Sequence, residues 1–350
     1  DTDRLVIWLT DRNELCEQAL NEFIAAWKYL GNTTITSYGY FGDSDISLGG
    51  VNSGFLVCGV QSLWALRNSR RELLYRLLAK EAYLVVFDEA HKAAADTYSQ
   101  MIEFILSTSG DSKLLGLTAT PGRKLSWLKV EDDENTQLAN IFGGNKVTMS
   151  IPGYVSPIQY LFDNNYLATP EFKSLDYSDE NILTSFDGKL LQKDAINALS
   201  ENEKRNTAIL NCIIEEVQQG NYIIVFASNV KHARNIEGLC LLYDIKAMSV
   251  DSSTKDRDTI IRLYRQKEIQ VLINYDVLTA GFDAPHTNVA IIARPTNSLV
   301  AFSQMAGRAM RGGASGNKKC KIYTVKDDIP EFKSVAKAFE HWDEYWASEG

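Results

Sequence analysis

Apolar positions recur along the chain in two rhythms. Short continuous apolar runs, such as Leu5–Leu9 and Tyr83–Phe87, read as strands buried on both faces. Between them lie longer stretches whose apolar residues fall three and four apart, the spacing of one helical face. In the first half, strands are expected at Leu5–Leu9, Thr33–Ser37, Phe55–Gly59, Tyr83–Phe87 and Lys113–Leu117, with helices at Glu14–Leu30, Leu63–Lys80 and Ala94–Ser107. In the second half the order is helix Glu201–Gln218, strand Tyr222–Phe226, helix Val230–Tyr243, strand Lys246–Val250, helix Lys255–Arg265 and strands Gln270–Ile273 and Val289–Ala293. Helix Leu299–Met310, strand Lys321–Val325 and a last helix at Pro330–Ala347 complete it. Such alternation predicts an α/β fold with parallel sheets.

The rhythm lapses after Thr120-Pro121-Gly122. From about Asn140 to Ser200 the chain carries Gly143-Gly144, Pro152, Pro157 and Pro170 among polar clusters. The expected organisation is therefore a first α/β domain over 1–150, a connector with some structure of its own over 151–199, and a second α/β domain over 200–350. No repeat of fixed period is visible.

At 350 residues with 45% apolar side chains, the chain is long enough for two cores, so a disordered protein is excluded. Its apolar runs fall well short of the ~20 residues that cross a bilayer, so no membrane span is expected. A net charge of −9 argues against a protein that coats polyanions generally, since that affinity comes from Lys and Arg neutralising phosphates. It leaves room for a local basic cleft. Five cysteines, Cys16, Cys58, Cys212, Cys240 and Cys320, show no metal or disulfide spacing. With no apolar leader at the start, they point to a reducing compartment, cytoplasm or nucleus, rather than secretion.

Candidate chemistry gathers at strand ends. The run Val85-Val86-Phe87-Asp88-Glu89-Ala90-His91 is an apolar strand that ends in two acids. Ligands of open parallel sheets collect at the carboxyl ends of strands, where Asp88 can hold Mg²⁺ through water and Glu89 can polarise an attacking water. One βα unit later, Leu117-Thr118-Ala119-Thr120-Pro121 leaves another strand with two hydroxyls, Thr118 and Thr120, able to bond the acidic motif and respond to its state. In Gln304-Met305-Ala306-Gly307-Arg308-Ala309-Met310-Arg311, a helix would set Arg308 and Arg311 on one face with Gln304 a turn earlier. A pair of guanidinium forks suits a triphosphate, and the small residues around them suggest close approach by another surface. The fourth motif is Thr279-Ala280-Gly281-Phe282-Asp283-Ala284-Pro285, a turn after a strand whose Thr, Gly and Asp suit a backbone phosphate. His232, His286 and His341 have no paired ligands in sequence and are expected at ordinary surface or half-buried positions. The aromatic residues Phe339, Trp342, Tyr345 and Trp346 read as core packing.

Taken in order, the four motifs resemble those of the superfamily 2 helicases and translocases: Asp88-Glu89-Ala90-His91 motif II, Thr118-Ala119-Thr120 motif III, Thr279 to Asp283 motif V, and Gln304 to Arg311 motif VI. Leu9-Thr10-Asp11-Arg12 with Gln18 is similar to motif Ia, Gly59-Val60-Gln61-Ser62-Leu63 to motif Ib, and Ile224 to Ser228 to motif IV. The wording looks nearest to the DNA-directed branch of restriction-enzyme motors and repair helicases. The resemblance implies two RecA-like parallel-sheet domains in tandem, with ATP and Mg²⁺ as cofactors. Asp88, Glu89, Gln304, Arg308 and Arg311 would act in hydrolysis, with Asp88 as the Mg²⁺ residue, and His91, Gly281 and Asp283 would contact the nucleotide. Thr118 and Thr120 would couple its state to a strand lined by Thr10, Gln61, Ser228 and Thr279. The implied partner is nucleic acid, DNA ahead of RNA, within a larger restriction, defence or repair assembly.

One expected part is missing from these residues. The family's phosphate loop, GxxxxGK[ST], occurs nowhere in the sequence, and its place upstream of motif Ia would fall before Asp1. Either a preceding segment supplies it, or the protein is a non-hydrolysing nucleic-acid-binding module or scaffold. The acidic pair and the arginine pair both read intact, which favours the first explanation. So does strand Tyr83–Phe87, which expects a partner on each edge, one of them the loop's own strand. A metal-dependent phosphatase or nuclease is disfavoured, because no further acid or His cluster supplies ligands.

Overall fold

A computed structural model describes residues 4–44, 46–118, 132–148, 150–154, 157–177, 193–278, 284–296, 299–313 and 317–327. The described residues fall into two compact units, the first ending at Val147 and the second beginning at Thr148.

The first unit runs β1 (Leu5–Thr10), α1 (Asn13–Leu30), β2 (Ser37–Tyr40), β3 (Gly54–Gly59), α2 (Val60–Arg67), α3 (Glu72–Glu81), β4 (Ala82–Asp88), α4 (Asp96–Ser109), β5 (Lys113–Leu117) and α5 (Asp132–Ile141). Its strands form one parallel sheet in the order β2-β3-β1-β4-β5. One face carries the main core, built on Leu5, Ile7, Leu9, Val85 and Phe87 against α2, α3 and α4. The other holds a smaller cluster of Cys16, Phe55 and Val57 under α1. β3 is buried at every position, as expected of a strand covered on both sides.

Three expectations shift here. The helix expected over Leu63–Lys80 is two helices; at the break the Ser69 N–H and Oγ both bond Leu66 O, at 3.2 and 2.8 Å, and Asn68 Nδ2 joins its own N–H on Trp64 O. The second strand lies at Ser37–Tyr40 instead of Thr33–Ser37, since Trp27 Nε1 donates to Thr33 O at 2.9 Å and keeps that residue against α1. Strand β4 also has partners on both edges, β1 and β5; the edges without a strand partner among the described residues are those of β2 and β5, and on β5 Leu115 and Leu117 are exposed.

The second unit runs α6 (Pro157–Asp163), β6 (Thr169–Leu175), α7 (Lys193–Glu201), α8 (Glu203–Gln218), β7 (Ile223–Phe226), α9 (Val230–Leu242), β8 (Ala247–Val250), α10 (Arg257–Arg265), β9 (Val271–Asn274), β10 (Val289–Ile292), α11 (Leu299–Gly307) and β11 (Lys319–Val325). Its parallel sheet has the order β6-β11-β10-β7-β9-β8. Strands β7 and β10 are the all-apolar runs Ile-Ile-Val-Phe and Val-Ala-Ile-Ile, β9 is Val-Leu-Ile closed by Asn274, and every residue in the three is buried, the apolar ones within two core clusters. The stretch expected as a connector supplies β6, which pairs with β11 from Thr169 to Leu175 as the sheet's edge strand. The helix expected at Pro330–Ala347, with Phe339, Trp342, Tyr345, Trp346 and His341, lies outside the described residues.

Candidate functional site

Parallel pairing brings four strand exits of the first unit together. Thr10 stands opposite Gly59, Leu9 opposite Phe87, and Asp88 opposite Leu117. Strand β4 is buried over Val85–Phe87 and emerges at Asp88, half-buried, so the sequence pattern alone carries the acid to the carboxyl edge. Glu89 then takes a left-handed backbone, φ 54° and ψ 48°. For a non-glycine residue this conformation costs on the order of 1–2 kcal/mol. The strain turns the chain directly into a short 3-10 turn over Ala90–Lys92, in which the Lys92 N–H donates to Glu89 O at 2.9 Å. The Glu89 N–H itself donates to Asp88 Oδ1 at 2.9 Å. Strain of this kind persists where the surroundings over-determine it, commonly at functional sites.

Burial pushes the Asp88 carboxyl above its usual pKa, the Glu89 N–H bond pulls it back, nearby Asp11 raises it further and Lys92 lowers it. His91 is buried, with Nδ1 3.2 Å from Thr118 Oγ1 at the exit of β5 and 3.4 Å from Glu89 Oε2. The structure thus brings Asp88, Glu89, His91 and Thr118 together, as their placement on adjacent strands predicts. Thr120 lies outside the described residues.

Sequence reasoning missed the pair Asp11 and Lys92. Asp11 Oδ2 accepts from Lys92 Nζ at 2.6 Å, joining the exit of β1 to the turn after β4. The signal was present as an acid and a lysine just beyond the ends of two apolar strands. Asp11 Oδ1 and Thr10 Oγ1 are buried and have no hydrogen-bond partner among the described residues. Each such group costs about 1–3 kcal/mol. Thr10, expected at a nucleic-acid groove, is completely buried at the end of β1, so its hydroxyl does not face solvent. Gln61, expected at the same groove, is exposed in the first turn of α2.

A divalent cation fits Asp88, whose charged form is penalised by burial. Among the described residues, no group of three or more His, Cys, Asp or Glu is placed to hold a metal ion. An ion held by Asp88 would draw on no more than one or two protein carboxylates, with water and phosphate oxygens completing its shell, which is the manner of Mg²⁺.

The second unit holds a polar network at its own strand exits. Ser228, just past β7, is buried; its Oγ donates to Ala293 O at 2.8 Å and its N–H to His232 Nδ1 at 3.1 Å. The Ser228 hydroxyl, expected at a strand-binding groove, is thus engaged within the fold. His232 Nε2 lies 2.9 Å from Asn206 Oδ1, which fixes the neutral tautomer with the proton on Nε2. Burial, with a lesser push from the Arg205 charge, lowers the His232 pKa to about 3. The expectation of a surface or half-buried His232 is corrected: the side chain is completely buried. Arg205 is buried too and grips Asp327 with Nε and Nη2, both at 2.8 Å, while Nη2 also donates to Ala293 O at 2.7 Å. Tyr177 adds its hydroxyl to Asp327 Oδ1 at 2.8 Å. Nothing in the spacing marks Arg205 out, because its partner lies at the far end of the unit.

The arginine motif also differs from expectation. Helix α11 ends at Gly307, so Arg308 and Arg311 do not share a helical face. The Arg308 N–H donates to Met305 O at 3.2 Å and the Ala309 N–H to Ala306 O at 3.1 Å, a tightening last turn. Arg311 then bridges antiparallel with Leu167, and the Ala168 N–H donates to Met310 O at 3.0 Å. A glycine is required next: a Cβ on Gly312 would lie 2.6 Å from Asn165 O and 2.7 Å from Leu167 C. Ala306 and Ala309 are buried in the unit's own core, whereas a Cβ on Gly307 would meet nothing within 4 Å in this structure. Gln304 is half-buried on α11 and Arg311 is exposed. Thr279, Gly281 and Asp283 lie outside the described residues.

Comparison with known proteins bears on both units. Residues 2–123 match the family described as type III restriction enzyme, res subunit, and residues 204–313 match the helicase conserved C-terminal domain. The chain belongs to the superfamily 2 helicases and translocases. Among relatives of this helicase family, a 51.5 kDa protein of a Lactococcus phage is 30% identical over 233 residues, 65% of this chain and 46% of that protein. A mitochondrial protein of Schizosaccharomyces pombe named as the ATP-dependent helicase irc3 is 26% identical over 283 residues, 79% of this chain and 43% of that one. The chain thus spans less than half the length of either. Solved structures share the tandem RecA-like fold. Saccharomyces cerevisiae Dbp5 bound to RNA and ADP BeF3 matches at TM-score 0.57 and 19% identity, over 99% of this chain and 76% of that one. Mycobacterium smegmatis helicase Lhr bound to ssDNA and AMP-PNP matches at 0.59 and 15%, over 98% of this chain and 42% of that one.

Proposed function

We propose that this helicase-family chain is the core of an ATP-driven translocase or helicase acting on DNA. The observation that carries it is the strand exit at Asp88 and Glu89: one acid whose charge burial opposes, the next in a left-handed turn and in a contact set with His91 and Thr118. Asp88 would hold the cation that neutralises phosphate charge. Glu89 would orient and deprotonate a water for in-line attack, with His91 relaying between Glu89 and the hydroxyl of Thr118. Gln304, Arg308 and Arg311, from the second unit, would act on the same triphosphate, with guanidiniums that stay charged as its negative charge redistributes. Gly281 and Asp283 would touch the nucleotide, Thr120 would join Thr118 in coupling, and Thr10, Gln61, Ser228 and Thr279 would follow the strand. With two of those hydroxyls buried, Thr10 and Ser228 would present backbone groups, whereas Gln61 would reach the strand directly.

DNA is favoured by the wording of the motifs and by the restriction-enzyme family matched over the first unit. We further propose that the phosphate-binding loop comes from outside these 350 residues. The bare edge of β5, beside the strand that carries the acids, supports this, because an added parallel strand would bring a loop to the same end of the sheet.

The test is DNA-stimulated ATP hydrolysis by the chain alone and by the chain joined to a segment that carries the loop. The expected result is negligible turnover alone and turnover stimulated by DNA more than by RNA when joined. In the joined form, Glu89→Gln should bind ATP and abolish turnover. Vigorous hydrolysis by the isolated chain would overturn the external loop. ATP binding without any hydrolysis in the joined form would favour the non-hydrolysing module.

A further inference from the structure

The second unit carries an aromatic stack that the nucleotide chemistry does not use. Around α6, Tyr154 meets Tyr160 edge-on with ring centroids 5.1 Å apart, and Tyr160 stacks on Tyr166 at 5.9 Å with 29° between planes. Tyr166 ends the series and is 60% exposed, where an aromatic ring packed into a core would be covered.

The exposed ring nevertheless stands on a fixed backbone. Tyr166 O accepts from the Gly312 N–H at 3.3 Å, the Leu167 N–H donates to Leu161 O at 3.0 Å, and Leu167 bridges Arg311. The close approach that forbids a side chain at Gly312 is part of the same clamp. A ring anchored this way loses little freedom when something stacks on it.

One cation is carried on the neighbouring backbone: Lys318, also exposed, accepts the Thr169 N–H on its carbonyl at 3.0 Å, three residues beyond Tyr166. Asp163 at the end of α6 is the acid on the same turn, followed by the neutral Asn164 and Asn165. Aromatic faces with flanking cations suit single strands: every base has a face to stack, and the cations follow the backbone. On a chain of net charge −9, general attraction to phosphate is weak, which leaves stacking a larger share of the affinity.

We propose that Tyr166, backed by Tyr160 and Tyr154, is a stacking platform for the bases of single-stranded nucleic acid, with Lys318 taking a phosphate; it deepens, and rests on, the strand-handling reading above.

The experiment measures binding of a fluorescent oligothymidylate of about 20 nucleotides to the full chain across a range of salt. Tyr166→Ala should weaken binding roughly tenfold at fixed salt without changing the salt slope. Tyr166→Phe should bind as the parent does. Lys318→Gln should reduce the slope by about one. Tyr166→Trp keeps the test alive should the alanine variant fail to fold: its fluorescence should be quenched by the oligonucleotide and not by MgATP. Unchanged binding by Tyr166→Ala, or quenching of Tyr166→Trp by MgATP alone, overturns the platform while leaving the motor reading intact. No oligonucleotide binding by the parent chain overturns both.

Discussion

Asp88 sits where burial opposes its charge, and this bears on stability as well as chemistry. Its folded-state pKa is raised, so the folded protein binds a proton more tightly than the unfolded chain. The associated stability is present below the unfolded value of 3.8 and is lost as pH rises through the folded value. Asp88→Asn removes the charge, so its thermal midpoint should exceed the parent's at pH 7 and converge with it below about pH 4, as calorimetry would show. A functional acid that destabilises its own fold is the usual trade between stability and activity. His232 behaves in the opposite way. Its pKa falls from 6.5 to about 3 on folding, so stability is full above 6.5 and declines as pH falls toward 3. The slope should approach 1.4 kcal/mol per pH unit within that window. His232→Asn should flatten it in acid titrations followed by circular dichroism. Asp88 and Glu89 were legible in sequence because an apolar strand ended in acids. The buried state of His232 was not, since Asn206 and Ser228, which satisfy its two nitrogens, come from different elements and no local pattern announces them.

The elements follow the sequence wherever a run is apolar, as in β7, β9 and β10, whose continuous burial matches their composition. They depart from it where local chemistry competes with the period. Ser69 marks the break of one expected helix into α2 and α3 by bonding Leu66 O, a carbonyl that a continuing helix would offer to Arg70. Past Gly307, the chain exchanges helical bonds for pairing with Tyr166 to Ala168, a long-range event with no periodic signature. Gly312 is the hinge of that exchange. Gly312→Ala should cost about 1–3 kcal/mol in chemical denaturation, because the new methyl group would push on backbone atoms, which give way less readily than side chains. A thermal midpoint equal to the parent's would show that the clamp opens at no cost.

At the scale of the molecule, two α/β units and the helicase family were readable because motif order survives when element boundaries blur. Strand β6 escaped notice because prolines and polar residues dominate its surroundings, and its pairing with β11 joins residues far apart in the chain. The uncovered flank of β5 carries a practical consequence. Leu115 and Leu117 stand in water beside backbone groups that no described strand takes up. Two copies meeting there could zip side by side, so the chain purified alone should self-associate as its concentration rises, visible in sedimentation velocity. Leu115→Lys should suppress this by placing like charges in register on the meeting rims. Handling behaviour at the bench would then report on the same edge at which the proposed phosphate loop would dock.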